Sequence, residues 1–168
     1  AVRQGLLQAI ASGADVVGYL DADLSTPVSE MQRLLRVLDE RADVDVVLGS
    51  RVALLGREVE RSAARHYLGR VFATVASATL GLRVYDTQCG AKAFRVGGAV
   101  RAALQQPFRS RWAFDVELPA RLLEQLPTSA FFELPLDRWR NVAGSKLRPG
   151  AMLRAGADVV ALALRRHR

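Results

Sequence analysis

"VVGYLDADLSTP", residues 16–27, runs from an apolar, β-branched stretch straight into two carboxylates one residue apart. A chain seldom leaves acids beside a segment it must bury unless something of opposite charge meets them. The run "DVVGYL" (15–20) reads as a short buried strand, which places Asp21 and Asp23 at its carboxyl end. In an extended segment residues i and i+2 point the same way, so both carboxylates can face one hard cation or one sugar-phosphate group. The plainer alternative is an aspartate capping the next helix, but Thr26 and Pro27 already form an N-cap and first-turn pair.

On either side of this stretch the pattern alternates. Val2, Leu6, Ala9 and Ile10 recur at helical spacing over residues 1–12, with Gly13 as a stop. A second helix opens at Thr26-Pro27 with Val28, Met31, Leu34, Leu35 and Leu38 on one face, and "VDVVLGS" (44–50) is a second buried strand. Helix, strand, helix, strand with short links is the grammar of a parallel α/β sheet covered by helices. Ligands of such sheets bind at the carboxyl ends of strands, where Asp21, Asp23, Ser50 and Arg51 fall. Further on, a long helix is expected over 60–80 with Tyr67, Val71, Val75 and Ala78 inward, and a hairpin-like insertion at 82–95. Helices are expected near 97–105 and 114–126, a strand at 130–137, and an amphipathic helix at 149–165.

At 168 residues, half of them hydrophobic, the chain reads as one globular domain, 1–168. A net charge of +7 fits an anionic partner, although a chain whose basic residues are nearly all Arg also reflects composition in general. Cys89 is the only cysteine and His66 and His167 the only histidines, which argues against an internal disulfide, a cysteine-built zinc site and a Ser/His/Asp triad. Aromatic residues are few and not interleaved with the arginines, which speaks against nucleic acid. No apolar run reaches the roughly 20 residues of a spanning helix.

Several other groups carry chemistry or merely a surface. Arg51 in "GSR" (49–51) can grip a phosphate bidentately or be a solvated arginine. Arg61 and Arg65 lie four apart on one helical face with Arg57 shortly before, either an anion site or a solvated basic face. "DTQCGAKAF" (86–94) holds Asp86, Gln88 and Lys92 around Gly90; by spacing alone it is a turn, with Gly90 supplying a conformation other residues resist. Asp115 and Glu117 in "WAFDVEL" (112–118) suit the dipole of a helix start. "WRNVAGSKLRP" (139–149) puts Trp139, Arg140, Ser145 and Lys146 in a glycine-containing, anion-binding type of loop.

Taken in order, "VVGYLDADLSTP", "VVLGSR", "RSAAR" (61–65), "YDTQCGAKAFR", "RWAFDVEL" and "GSKLRP" resemble the family 2 glycosyltransferases that act on polyprenyl phosphates, the dolichyl-phosphate β-glucosyltransferase branch first and dolichyl-phosphate mannosyltransferases next. The resemblance implies a GT-A fold, a Rossmann-like sheet with helices on both faces. It also implies an inverting hexosyl transfer, of glucose or mannose, from a UDP- or GDP-hexose to a polyprenyl or dolichyl phosphate. Asp23 would be the chief ligand of Mg²⁺ or Mn²⁺ and Asp21 would lie nearer the donor, while Arg51, Arg61, Arg65, Lys92 and Lys146 would meet the acceptor phosphate. The catalytic set on this reading is Asp21, Asp23, Arg51 and Arg61, in a peripheral protein at the cytoplasmic face of the membrane. Ser25 stands where mannosyltransferase relatives usually carry Gln. The family's opening strand, with its Pro-x-Tyr-Asn-Glu-like motif, and its Gly-Lys-Gly-like loop do not occur here, so an N-terminally incomplete catalytic domain is expected.

Two rival readings use the same residues differently. "LDADLS" also resembles the nucleophile motif of haloacid-dehalogenase-like phosphatases, with Asp21 attacking phosphorus. A non-catalytic module would instead rest its C-terminal helix and basic tail, Arg165 to Arg168, on anionic lipid.

Overall fold

The computed structural model describes residues 1–59, 73–78, 80–110 and 113–140. Within them the chain runs α1 (Val2–Ala11), β1 (Val16–Tyr19), α2 (Val28–Glu40), β2 (Val46–Ser50), β3 (Glu58–Val59), β4 (Lys92–Arg95), α3 (Gly98–Ala103), α4 (Phe114–Leu122), β5 (Phe131–Pro135) and β6 (Arg138–Trp139). Residues 73–78 are also helical. The expected helix at 149–165 lies outside the described residues.

Four strands form the main sheet in the order β1-β4-β2-β5. β2 and β5 are parallel, whereas β4 pairs antiparallel with both β1 and β2. The sheet is therefore mixed rather than all parallel, and residues 92–95 are a central strand rather than a hairpin arm. The sequence gives the reason: Ala91, Ala93 and Phe94 are wholly buried, and only a strand covered on both faces hides consecutive residues. Reversal of β4 matters for function. The segment leading into it, 86–91, reaches the same rim as the carboxyl ends of β1 and β2. β3 and β6 form a separate parallel pair, Glu58 opposite Arg138 and Val59 opposite Trp139.

Alternation along the strands sorts the core into two layers. Val17, Val46, Leu48 and Phe94 face α1, α3, α4 and the 73–80 segment, packing with Leu6, Ile10, Leu80, Val100, Val116 and Leu122. Val47 and Ala93 face α2, packing with Leu34, Leu38, Leu136 and Trp139. Among the described residues no helix is long and apolar enough to cross a membrane.

Three local expectations are corrected. α2 has Pro27 at its N-cap with no side-chain cap, and the Thr26 hydroxyl is buried without a partner, because the preceding turn is organised by Asp23 instead. Val28 is exposed; α2 is fixed at this end by buried Glu30, whose Oε1 accepts from the Asp137 and Arg138 amides at 3.2 and 3.0 Å. In the 73–80 segment Ala73, Ala76 and Leu80 are buried while Val75 and Ala78 face solvent, a rotation of the expected face; Tyr67 and Val71 lie outside the described residues.

Leu34 is 0% exposed and Val28 61%. Leu34→Ala is expected to lower unfolding free energy by about 2–5 kcal/mol and Val28→Ala to change it by about 0.5 kcal/mol or less, as read by denaturant titration. Equal effects would contradict this packing of α2.

Candidate active site

β1 ends at Tyr19, and a turn follows in which the Leu24 amide donates to the Asp21 carbonyl at 3.2 Å. Asp23 Oδ1 accepts from the Ser25 amide at 2.9 Å, and Leu24 takes a left-handed backbone with φ 57°. The Asp-x-Asp pair is thus carried on a tight turn rather than on extended strand, and the i, i+2 argument for its geometry does not apply. What fixes Asp21 is packing. A Cβ placed on Gly90 would lie 1.9 Å from Asp21 Cγ and Oδ2, so only glycine lets the backbone approach this carboxylate. Gly90 has no positive φ among the glycines that do. Its role is room, not the unusual conformation expected from the sequence.

Asp21 leaves much of its surface open to solvent, yet its carboxyl group pressed on the chain has a raised pKa. Partial desolvation is the first cause, followed by the negative charges of Asp115 and Asp23; Arg51 and Lys92 pull the other way. Among the described residues no side-chain hydrogen bond satisfies Asp21, and no third His, Cys, Asp or Glu joins the pair to make a metal cluster. Two carboxylates on one turn offer the oxygen ligands a hard divalent ion takes, and do not make a self-sufficient cage.

The wall beside them is built from the lead-in to β4. Arg51, one residue past β2, donates from Nε and Nη2 to both Asp86 oxygens, at 2.6 and 2.8 Å, and lies 5.4 Å over the Trp139 ring. Burial opposes its charge, but Asp86 outweighs burial and the guanidinium pKa is raised. Asp86 is itself anchored, since Glu133 of β5 accepts from the Tyr85 and Asp86 amides. Arg51 is thus at the rim as expected, but paired to Asp86.

Lys92 departs furthest from expectation. Its side chain is 0% exposed, with Nζ donating to the Cys89 carbonyl at 2.6 Å and to Asp115 Oδ1 at 2.8 Å. An ammonium so enclosed does not meet a phosphate arriving from solvent. Asp115 lies in the first turn of α4, as its dipole-favoured reading expects, but caps no amide; Ala113 is the N-cap, and Tyr19 also donates to Asp115 Oδ1, at 2.6 Å. Glu117 accepts from the Arg109 amide at 2.9 Å and from Arg121 at 2.6 Å, tying the loop before α4 to the helix. Arg57 donates to the Pro135 carbonyl at 2.8 Å and to Asp137, and the Arg140 amide donates to the Ser25 carbonyl at 3.0 Å. Arg61, Arg65, Ser145 and Lys146 lie outside the described residues. Sequence reasoning gave Tyr19 no role and read Asp115 only as an acid at a helix start; the one available signal was that Tyr19 precedes Asp21 by two.

Comparison with solved structures decides the fold. Glucosyl-3-phosphoglycerate synthase of Mycobacterium tuberculosis, in its complex with phosphoglyceric acid, matches 98% of this chain and 54% of its own at TM-score 0.64 and 20% identity. Its complex with UDP matches equally well, at TM-score 0.64 and 17% identity, over 98% and 54% of the two chains. The chain has a GT-A glycosyltransferase fold. In sequence it is 29% identical over 168 residues to dolichyl-phosphate beta-glucosyltransferase ALG5C of Trichomonas vaginalis, and 26% identical over 170 residues to ALG5D of the same organism. Each match covers 98% of this chain but 48% and 49% of those proteins, so the chain spans about half the length of its curated relatives. The resemblance read from the ordered motifs is borne out, and no family model matches the chain. In this GT-A sheet neither of two surface cavities, about 570 Å³ beside Arg109 and Glu124 and about 480 Å³ beside Arg33 and Arg36, includes the acid pair, which sits on an open rim.

A carboxyl whose pKa is raised on folding favours its neutral form there, so ionising it opposes folding at pH values above the ordinary range. Asp21→Asn is therefore expected to melt above wild type at pH 7, the gap closing as pH falls below the usual carboxylate range. A melting point at or below wild type at pH 7 would contradict the desolvation of Asp21.

Proposed function

We propose that the protein transfers a hexose, with inversion, from a nucleoside-diphosphate donor to a polyprenyl phosphate. The observation that carries this reading is the acid pair Asp21 and Asp23 at the rim of a GT-A sheet, in a chain similar over 98% of its length to two dolichyl-phosphate beta-glucosyltransferases. Glucose is favoured by the names of those relatives, and UDP by the UDP complex of the structural neighbour. The same fold weighs against the phosphatase reading of Asp21.

Asp23 and Asp21 would hold Mg²⁺ or Mn²⁺, which when bound offsets the charge gathering on the departing nucleoside diphosphate. The rest falls to the chain. The Ser25 amide fixes Asp23 through Oδ1, and Gly90 seats Asp21, so neither acid must reorganise as the donor arrives. Arg51 and Asp86, braced by Glu133, keep the adjoining wall rigid. A phosphate oxygen of the acceptor then bonds to the anomeric carbon as the bond to the diphosphate breaks on the opposite face. A lipid monophosphate is already ionised near neutral pH, so it needs positioning cations rather than a strong base. Arg61, Arg65 and Lys146 are proposed for that task and Lys92 is not. The lipid acceptor places this reaction at a membrane surface, on this reading its cytoplasmic face.

The intact protein, given Mn²⁺, polyprenyl phosphate and labelled UDP-glucose or GDP-mannose, is expected to form a labelled lipid from UDP-glucose. Asp23→Ala is expected to reduce the rate by about 100-fold or more. Undiminished product with Asp23→Ala would overturn the assignment.

A further inference from the structure

Lys92 is unusual in being a completely enclosed ammonium, since burying a charge is unfavourable by several kcal/mol unless every proton is matched. It sits directly across from Tyr19 in the β1–β4 register, 5.5 Å over that ring. Its Nζ donates to the Cys89 carbonyl and to Asp115 Oδ1, and the latter also accepts the Tyr19 hydroxyl. Two strong donors therefore fix the Asp115 carboxylate through a single oxygen. Oδ2 takes no protein donor among the described residues, and the side chain remains 15% exposed. Pro119, four residues on in α4, supplies no amide to the Asp115 carbonyl.

The location gives the fixed oxygen a use. Cys89 and Gly90 form one peptide unit at the rim. The Cys89 carbonyl takes Lys92 Nζ, and through it Asp115, while Gly90 packs against the Asp21 carboxylate. Asp115 is thus linked, through the Lys92 ammonium and this one peptide unit, to the acid that on the proposed function faces the donor diphosphate. A carboxylate oxygen repels phosphate and selects hydroxyl donors. Resting on the proposed function, the hydroxyl-bearing group next to that diphosphate is the hexose. We propose that Asp115 is a specificity-determining residue that accepts a hydrogen bond from one hydroxyl of the donor sugar, with Lys92 and Tyr19 as the positioning residues that aim it.

The test measures binding of UDP, UDP-glucose and the 2-, 3-, 4- and 6-deoxy analogues of UDP-glucose to the intact protein by calorimetry. Wild type is expected to bind one deoxy analogue about 10- to 100-fold more weakly than UDP-glucose, the range for a hydrogen bond to a charged acceptor. Asp115→Asn, which preserves volume, should bind UDP-glucose as weakly as that analogue, no longer distinguish the two, and keep its UDP affinity. Lys92→Met should blunt the same discrimination while also keeping UDP affinity. Equal binding of all four analogues by wild type, discrimination retained in Asp115→Asn, or UDP affinity falling in step with UDP-glucose would each overturn the assignment. Failure of wild type to bind UDP or UDP-glucose at all would instead overturn the proposed function, and this inference with it.

Discussion

The site depends on one strand running against its neighbours. With β4 between β1 and β2 and reversed, the segment Asp86–Ala91 is delivered to the rim where β1 leaves Asp21 and β2 leaves Arg51. A parallel strand in that place would have delivered it to the far edge. Everything charged at the rim follows: Asp86 takes Arg51, the Cys89 carbonyl takes Lys92, and Gly90 makes room for Asp21. Cys89, wholly buried here with its thiol pushed up to about 12, first by burial and then by Asp86, stays neutral and adds no charge of its own.

The arrangement sets stability against readiness. The Asp21 carboxylate is pressed on the chain with no hydrogen bond among the described residues, and desolvation, then the charges of Asp115 and Asp23, raise its pKa and oppose folding at neutral pH. Other acids are paired: Glu30 with Arg33 at 2.6 Å, Glu117 with Arg121 and, at the rim itself, Asp86 with Arg51. On the proposed function, a cation held at the rim would meet the charge of Asp21.

Much of the scaffold was legible because burial writes itself as periodicity. The apolar faces of α1 and α2, the two strands at 16–19 and 46–50 and the strand at 131–135 all followed from it. The acid pair was legible from its position after β1. Residues 92–95 were not, since Gly90 and Lys92 beside β-formers read as a hairpin, and pairing partners distant in sequence leave no local trace. Lys92 read as a surface cation because nothing in "GAKAF" shows that Asp115, 23 residues on, neutralises it. Asp115 does stand in the first turn of its helix, as an acid favoured by the dipole would, and its contacts with Tyr19 and Lys92 left no local trace in the sequence. Gly90 was singled out for backbone freedom when the constraint is the volume of a neighbouring carboxylate.

Anomalous diffraction from crystals of the intact protein grown with Mn²⁺ and UDP puts this account to its most direct test. It predicts a manganese peak in direct contact with carboxylate oxygens of Asp21 and Asp23, with Asp21 still seated on Gly90. A peak elsewhere on the molecule, or Asp21 swung away from Gly90 to leave the ion on Asp23 alone, would contradict it.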